Sequence, residues 1–232
     1  MTFSINVNAS ALNALRNLNA TGKDLESTQT KINTGLKISS AKDNAAVFSI
    51  AQKLRGDLRG LNAVSQSLDR GISTVDVALA AATAISDLLL EMKEKAVAAA
   101  DLGLDTTSRT ALSQDFAALR DQITSIVNNA EFNGTNLIDG GTDKIVAITN
   151  ADATQTLSVA HQTLTLSSTN IPITSTQLIS TQGAASIAVS DIGTAINNLN
   201  SVLTKLGAGS TSLEQNRDFS GKLADVIEVG IG

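Results

Sequence analysis

The chain has 232 residues, a net charge of −5, no Cys, Trp or Tyr, 2 % aromatic residues, one His and one Pro. Zero Cys excludes disulfides and thiolate-bound metal, one His cannot build the usual multi-His zinc site, and the acidic balance argues against nucleic acid, whose phosphates call for clustered Lys and Arg. With few large side chains, Ala, Leu, Ile and Val must do the packing, which suits thin helix-on-helix layers, and a nearly Pro-free chain permits long unbroken helices.

Along residues 8–33, Ala11, Leu15, Leu18, Leu25 and Ile32 fall on one stripe at spacings of three, four and seven, which predicts an amphipathic helix. Residues 34–43 break the pattern around Gly35 and Ile38-Ser39-Ser40, and Asp43 or Asn44 is placed to cap the next helix. From 44 to about 100 a strong heptad runs through Leu54, Leu61, Leu68, Val75, Ala82, Leu89 and Ala96. Leu58, Ile72 and Leu79 are read as alternate seam positions, with Ser65, Ser86 and Lys93 as polar gaps. Such a helix is roughly 80 Å long at about 1.5 Å per residue. "DLGLD" at 101–105 predicts a tight reversal. Residues 105–130 then predict a helix with Leu112, Phe116, Leu119, Ile123, Ile126 and Ala130 in four-three alternation. "FNG" at 132–134 reads as a helix stop and turn.

Residues 142–183 hold 15 Ser or Thr and three charged residues, yet are apolar at alternate positions. "KIVAIT" and "QTLSVA" around "NADAT" predict two strands and a loop. A last helical stretch starts near Ser190, with Ile192, Ile196, Leu199, Leu203, Leu206 and Leu213, shifts phase near Gly207 and Gly209, and continues through Phe219, Leu223 and Val226. The expected fold is mainly α: an elongated antiparallel helical bundle, a coiled-coil-like rod with a small β-hairpin element. Its seam is Leu54, Leu61, Leu68, Val75, Leu89, Phe116, Leu119, Ile123, Ile196 and Leu199. No stretch approaches the ~18–20 apolar residues of a membrane span. The start, "MTFSINVNASALNALRNL", shows no basic region followed by an apolar run, so no cleavable signal peptide is expected.

No catalytic constellation emerges. His161 in "SVAHQTLTL" has no second His, no H-E-x-x-H and no marked Ser, and reads as a surface or strand-face side chain. "LGAGS" lacks the spacing of a dinucleotide loop. No enzyme, cofactor or metal site is expected.

Five segments occur in one order: "LNALRNL", "INTGLKISSAKDNAA", "SLDRGISTVDVALAA", "EFNGTNLI" and "LGAGSTSLEQNRDFSGKLADVI". Together they resemble bacterial flagellin, over about residues 1–140 and 184–232. Lys31 and Val47 depart from the usual residues of that family. The resemblance implies a structural subunit of the flagellar filament, extracellular and self-assembling for motility. It divides the chain into an inner-tube helix (1–33), a connector (34–43), outer-core helices (44–141), a short variable β-like region (142–183) and a C-terminal outer-core helix (184–232). Ala11, Leu15, Leu18, Leu25 and Ile32 become the inner-tube assembly stripe.

As partners the resemblance implies other flagellin subunits, an export chaperone and the flagellar type III export apparatus, and hook-associated and cap proteins, with neither nucleic acid nor membrane. A flagellin also continues for about another helix beyond "VIEVGIG". As a short flagellin lacking that inner-tube partner, the 232-residue chain by itself is expected to stay monomeric. "LEMKEKAV" at 90–97 stands where stimulatory flagellins carry a segment similar to Q-R-x-R-E-L-A-V. Glu91, Lys93 and Lys95 depart from it, which implies weak or absent activation of the flagellin-sensing Toll-like receptor. A soluble coiled-coil hook-associated or adaptor protein is the alternative.

Overall fold

A computed structural model describes residues 8–231, so the first seven residues of the predicted N-terminal segment, and Gly232, lie outside it. Two compact units result: Gly60–Lys222, and Met1–Arg59 with Leu223–Gly232. Four helices carry most of the chain, α1 (Ala9–Thr34), α2 (Ala45–Ala99), α3 (Thr106–Asn129) and α4 (Gln182–Ile231). Strands β1 (Glu131–Phe132), β2 (Thr135–Asn136), β3 (Ile145–Ile148) and β4 (Thr156–Val159) form two antiparallel hairpins. The architecture is mainly α with a small β element.

In the larger unit α2, α3 and α4 share one core with the segment between α3 and α4. The directions follow from cross-helix contacts. Lys95 near the end of α2 lies 3.9 Å from Asp115 near the start of α3, while Asp69 on α2 meets Arg217 on α4 at 2.8 Å. The Ile179 amide, just before α4, donates to Ser113 Oγ at 3.2 Å. Both α3 and α4 therefore run antiparallel to α2. The reversal at 100–105 is held by its own polar groups: Gly103 N–H donates to Asp101 Oδ1, and the Arg109 guanidinium donates to the carbonyls of Asp101 and Leu104.

On α2 the heptad positions Leu61, Leu68, Val75, Ala82, Leu89 and Ala96 are buried. The second row differs from the sequence expectation. Val64, Gly71, Ala78, Ile85, Met92 and Ala99 are buried, whereas Leu58, Ile72 and Leu79 are only half-buried. The second seam position lies three residues after the first rather than four. The row four residues on also contains Ser65 and Ser86, half-buried, and Lys93, which is exposed. Leu54 is half-buried as well. α2 also contains an 18-residue window of mean hydropathy 1.5, which corrects the expectation that nothing approaches a membrane span by composition. Within the α2 core row, Ala78, Ala82, Ile85 and Leu89 are among the least exposed residues of the chain.

α3 departs from the sequence expectation by one residue in the other direction, its second row lying four residues after Arg109, Phe116 and Ile123. Its buried stripe is Arg109, Ser113, Phe116, Arg120, Ile123 and Val127, while Leu112, Leu119 and Ile126 pack on the flank of the core. α4 begins at Gln182, well before Ser190, because Ala185 and Ala188 carry its first core turns. Thr181 caps it, its Oγ1 accepting from the Ala184 amide. The buried row then keeps its three-four spacing to Leu213 with no break at Gly207 or Gly209, and Ile196 sits half-buried beside it.

Asn133 and Gly134 both have positive φ, 51° and 79°, which closes β1–β2 as a two-residue type I′ turn. The Asn136 amide donates to the Val127 carbonyl at the end of α3 and accepts from the amides of Ile138 and Asp139. Beyond the second hairpin, Leu164, Ile171, Ile173 and Ile179 are fully buried, so the Ser/Thr-rich stretch is packed onto the helices by its spaced aliphatic residues.

Two helical glycines make room for this cover. A Cβ at Gly209 would lie 3.0 Å from both methyls of Val159, and one at Gly60 would lie 2.8 Å from Ala151 Cβ and 3.0 Å from its carbonyl oxygen. Gly→Ala inside a helix ordinarily gains up to about 1 kcal/mol. Gly207→Ala, in open space, is expected to show that gain, whereas Gly60→Ala should lose about 1–3 kcal/mol to overpacking. Urea unfolding of both variants checks the opposite signs.

Candidate assembly surfaces

Among the described residues no cluster of three or more His, Cys, Asp or Glu could hold a metal. His161 is neither the surface nor the strand-face side chain expected from sequence, since it lies in the loop after β4. Only 12 % of its side chain is exposed, because 160–164 runs beside 137–139, with the Gln162 amide donating to the Leu137 carbonyl and the Leu164 amide to that of Ile138. Its Nε2 lies 2.8 Å from the Asp139 carbonyl oxygen, and Nδ1 is buried without a hydrogen-bond partner among the described residues. That geometry fixes a loop and presents nothing to a substrate.

Apolar surface left uncovered is the more informative feature. α1 is a well-formed helix: Asn8 Oδ1 accepts from the Ser10 and Ala11 amides, and Gly35, at φ 67°, ends it in the left-handed conformation. None of its residues is buried. Ala11 is exposed, and so are Leu15, Leu18, Leu25 and Ile32, the last by 74 %. Burying an aliphatic side chain of this size is worth about 1.5–3 kcal/mol. A 26-residue helix that leaves its whole apolar stripe in water has a strong drive to find a covering surface.

The joint after α1 has its own bracing. Asp43 accepts from the Ser39 hydroxyl and from the amides of Ser39 and Ser40, each at 3.1 Å. The Ser39 hydroxyl first, with those amides, holds the Asp43 carboxyl below its usual range. The brace is therefore present above the ordinary carboxylate pKa and is lost as pH falls through the lowered one. The cap of α2 falls to Asn44, whose Oδ1 accepts from the Val47 amide. Sequence leaves Asp43 and Asn44 open for that role; here they divide the work.

In the larger unit, the seam residues Leu68, Val75, Leu89, Phe116, Ile123 and Leu199 come together in the core, with Leu119 and Ile196 at its margin, and Leu61 is buried outside that cluster. On the outside of α2, Glu91 and Lys93 are exposed, Lys95 is half-buried beside Asp115, and Leu90 and Val97 stand in water. Sequence reasoning missed Arg109, Ser113 and Arg120 on the buried stripe of α3. Each serves backbone: Arg109 the reversal, Ser113 the Ile179 amide, and Arg120 the Gln177 carbonyl at 3.1 Å. Their four-three spacing in step with Phe116 and Ile123 was the available signal.

Comparison with known proteins gives one answer. The family model for the bacterial flagellin N-terminal helical region matches residues 5–143. Flagellin FljM of Caulobacter vibrioides is 45 % identical over 229 residues, covering 99 % of this chain and 83 % of that protein. A flagellin of Brucella melitensis is 33 % identical over 238 residues, covering 99 % and 84 %. Among solved structures, Bacillus cereus flagellin aligns with TM-score 0.59 at 20 % identity, over 66 % of this chain and 88 % of its own. A flagellar hook-associated protein from Vibrio parahaemolyticus aligns with TM-score 0.69 at 13 % identity, over 83 % and 99 %; at these identities both likenesses speak to fold alone. With the family model spanning more than half of the chain and close relatives spanning nearly all of it, the chain belongs to the bacterial flagellins.

Proposed function

We infer that this flagellin, a non-enzymatic structural subunit of the flagellar filament, holds its neighbours through the uncovered stripe of α1. The polymer of like subunits is the working, extracellular state of the family. The observation that carries the reading is a 26-residue helix with an apolar stripe and no buried residue. Residues 1–33 then form the inner-tube segment, 34–43 the connector, 44–141 and 184–232 the outer core, and 142–183 the variable element. The core row of α2 with Phe116, Ile123 and Leu199 keeps the outer part rigid while the stripe does the joining.

Export follows the same logic. A subunit that must leave the cell through a narrow secretion channel of the flagellar type III kind benefits from an end that is not tied into the core, guarded before export by a chaperone. Once outside, it would meet hook-associated and cap proteins at the filament's ends. Residues 8–30 should exchange their amide hydrogens rapidly in the free monomer and become protected in the filament, while the core amides of α2 stay protected in both. Strong protection of residues 8–30 in the free monomer would refute this.

The segment 90–97 carries a negative side chain, Glu91, and a positive one, Lys95, at places where stimulatory flagellins resemble Arg and Leu. A reversed charge at a receptor contact costs several kcal/mol, roughly a hundredfold or more in affinity. A reporter-cell assay should therefore need at least about a hundredfold more of this protein than of a stimulatory flagellin. Equal potency would contradict the reading.

A further inference from the structure

We propose that a cleft between α2 and the β1–β2 turn is a subunit-contact site that receives a carboxylate side chain from a second copy of this chain, a reading that rests on the filament function above. The cleft is lined by Arg70 and Lys144 together with Ser67, Asn133 and Thr135, and none of its lining residues carries a carboxylate. Its back wall is closed by Ile145 over Gly71, where an added Cβ would come within 3.2 Å of the Ile145 methyl.

Neither cation is spoken for. Among the described residues Arg70 and Lys144 form no salt bridge, and Asp69, the acid adjacent to Arg70 in sequence, is engaged by Arg217 at 2.8 Å. The polar groups around them keep donors in reserve. Ser67 Oγ accepts from the Ile148 amide, which leaves its hydroxyl hydrogen free to donate. Arg70 and Lys144 are exposed and Ser67 half-buried, so a guanidinium fork, an ammonium and a hydroxyl all line one concavity open to solvent, a set of donors that matches a carboxylate, the acceptor a guanidinium fits best.

The chain itself supplies the occupant. It carries 22 acidic and 17 basic residues, so packing like copies side by side brings excess negative charge together. Two exposed cations on one cleft, neither in a salt bridge among the described residues, offer a place where that excess is relieved. A contact between this cleft and a different surface of the next copy is heterologous, the class that propagates into open helical filaments.

The test uses filaments assembled from mixed isotope-labelled and unlabelled full-length protein, treated with a zero-length carbodiimide that joins a carboxylate to a nearby amine. Mass spectrometry should find Lys144 linked to an Asp or Glu of a differently labelled chain in filaments and not in monomers. The Arg70→Gln/Lys144→Gln variant should melt like wild type, yet need about tenfold more protein to polymerise at low salt, as expected for losing one charge pair. The gap should close as salt rises. Wild-type filaments whose Lys144 links only within its own chain, or a double variant that polymerises as wild type does, would overturn the cleft alone. Wild-type protein that never polymerises would overturn the filament reading and the cleft with it.

Discussion

Replacing Leu68 by alanine is expected to lower the unfolding free energy of the Gly60–Lys222 unit by about 2–5 kcal/mol. Leu68 is fully buried on α2, in a core built jointly with α3, α4 and the β-containing segment. Removing its branched end opens a cavity that three helices must collapse to fill, and straight helices collapse poorly. The same truncation at Leu79, half-buried on the row four residues after the heptad position, should cost clearly less, about 1 kcal/mol. Urea unfolding followed by circular dichroism separates the two. If Leu68→Ala unfolds like wild type, or if Leu79→Ala costs as much, the seam is misplaced.

The second large effect is on assembly. Leu18→Asp with Leu25→Asp puts two carboxylates into the α1 stripe at positions 69 % and 59 % exposed in the free chain. Neither is buried, and both lie outside the Gly60–Lys222 unit, so the melting of that unit should not change. Each substitution removes about 1.5–3 kcal/mol of apolar burial on assembly and adds the cost of burying a charge without a partner. That loss recurs in every subunit. Bacteria carrying only the double variant should make the protein in normal amounts, bear no filaments and fail to swim. Normal filaments built from it would mean that α1 does not hold subunits together.

How far sequence alone reaches depends on what marks each element. The heptad through Leu61, Leu68, Val75 and Leu89 is legible because large apolar residues recur in register over about eight turns. Its second row is misread from sequence because four members, Gly71, Ala78, Ala99 and Met92, are small or unbranched, and Ile72 and Leu79 next to them draw the eye. The stripe of α3 hides in the same way: Arg109 and Arg120 occupy core-facing positions by folding their guanidinium groups onto backbone carbonyls, a role that no hydropathy pattern registers. α4 looks broken at Gly207 and Gly209, yet Gly209 is where Val159 presses against the helix, a contact between segments far apart in sequence. The Ser/Thr-rich stretch shows its strands at 145–148 and 156–159, but not that Ile171, Ile173 and Ile179 are among the most deeply buried residues. The α1 stripe is readable residue by residue from spacing alone, since a helix with a single apolar face declares itself whether or not the face is covered.

As a structural subunit of the filament, this chain should be the repeating material of its shaft. The most direct measurement is immunogold electron microscopy of flagella from the bacterium that makes it, using antibody against the 142–183 segment. Gold particles spaced along the whole length of the filaments are the predicted result. Filaments bare of label, or label confined to the hook junction or the tip, would contradict it.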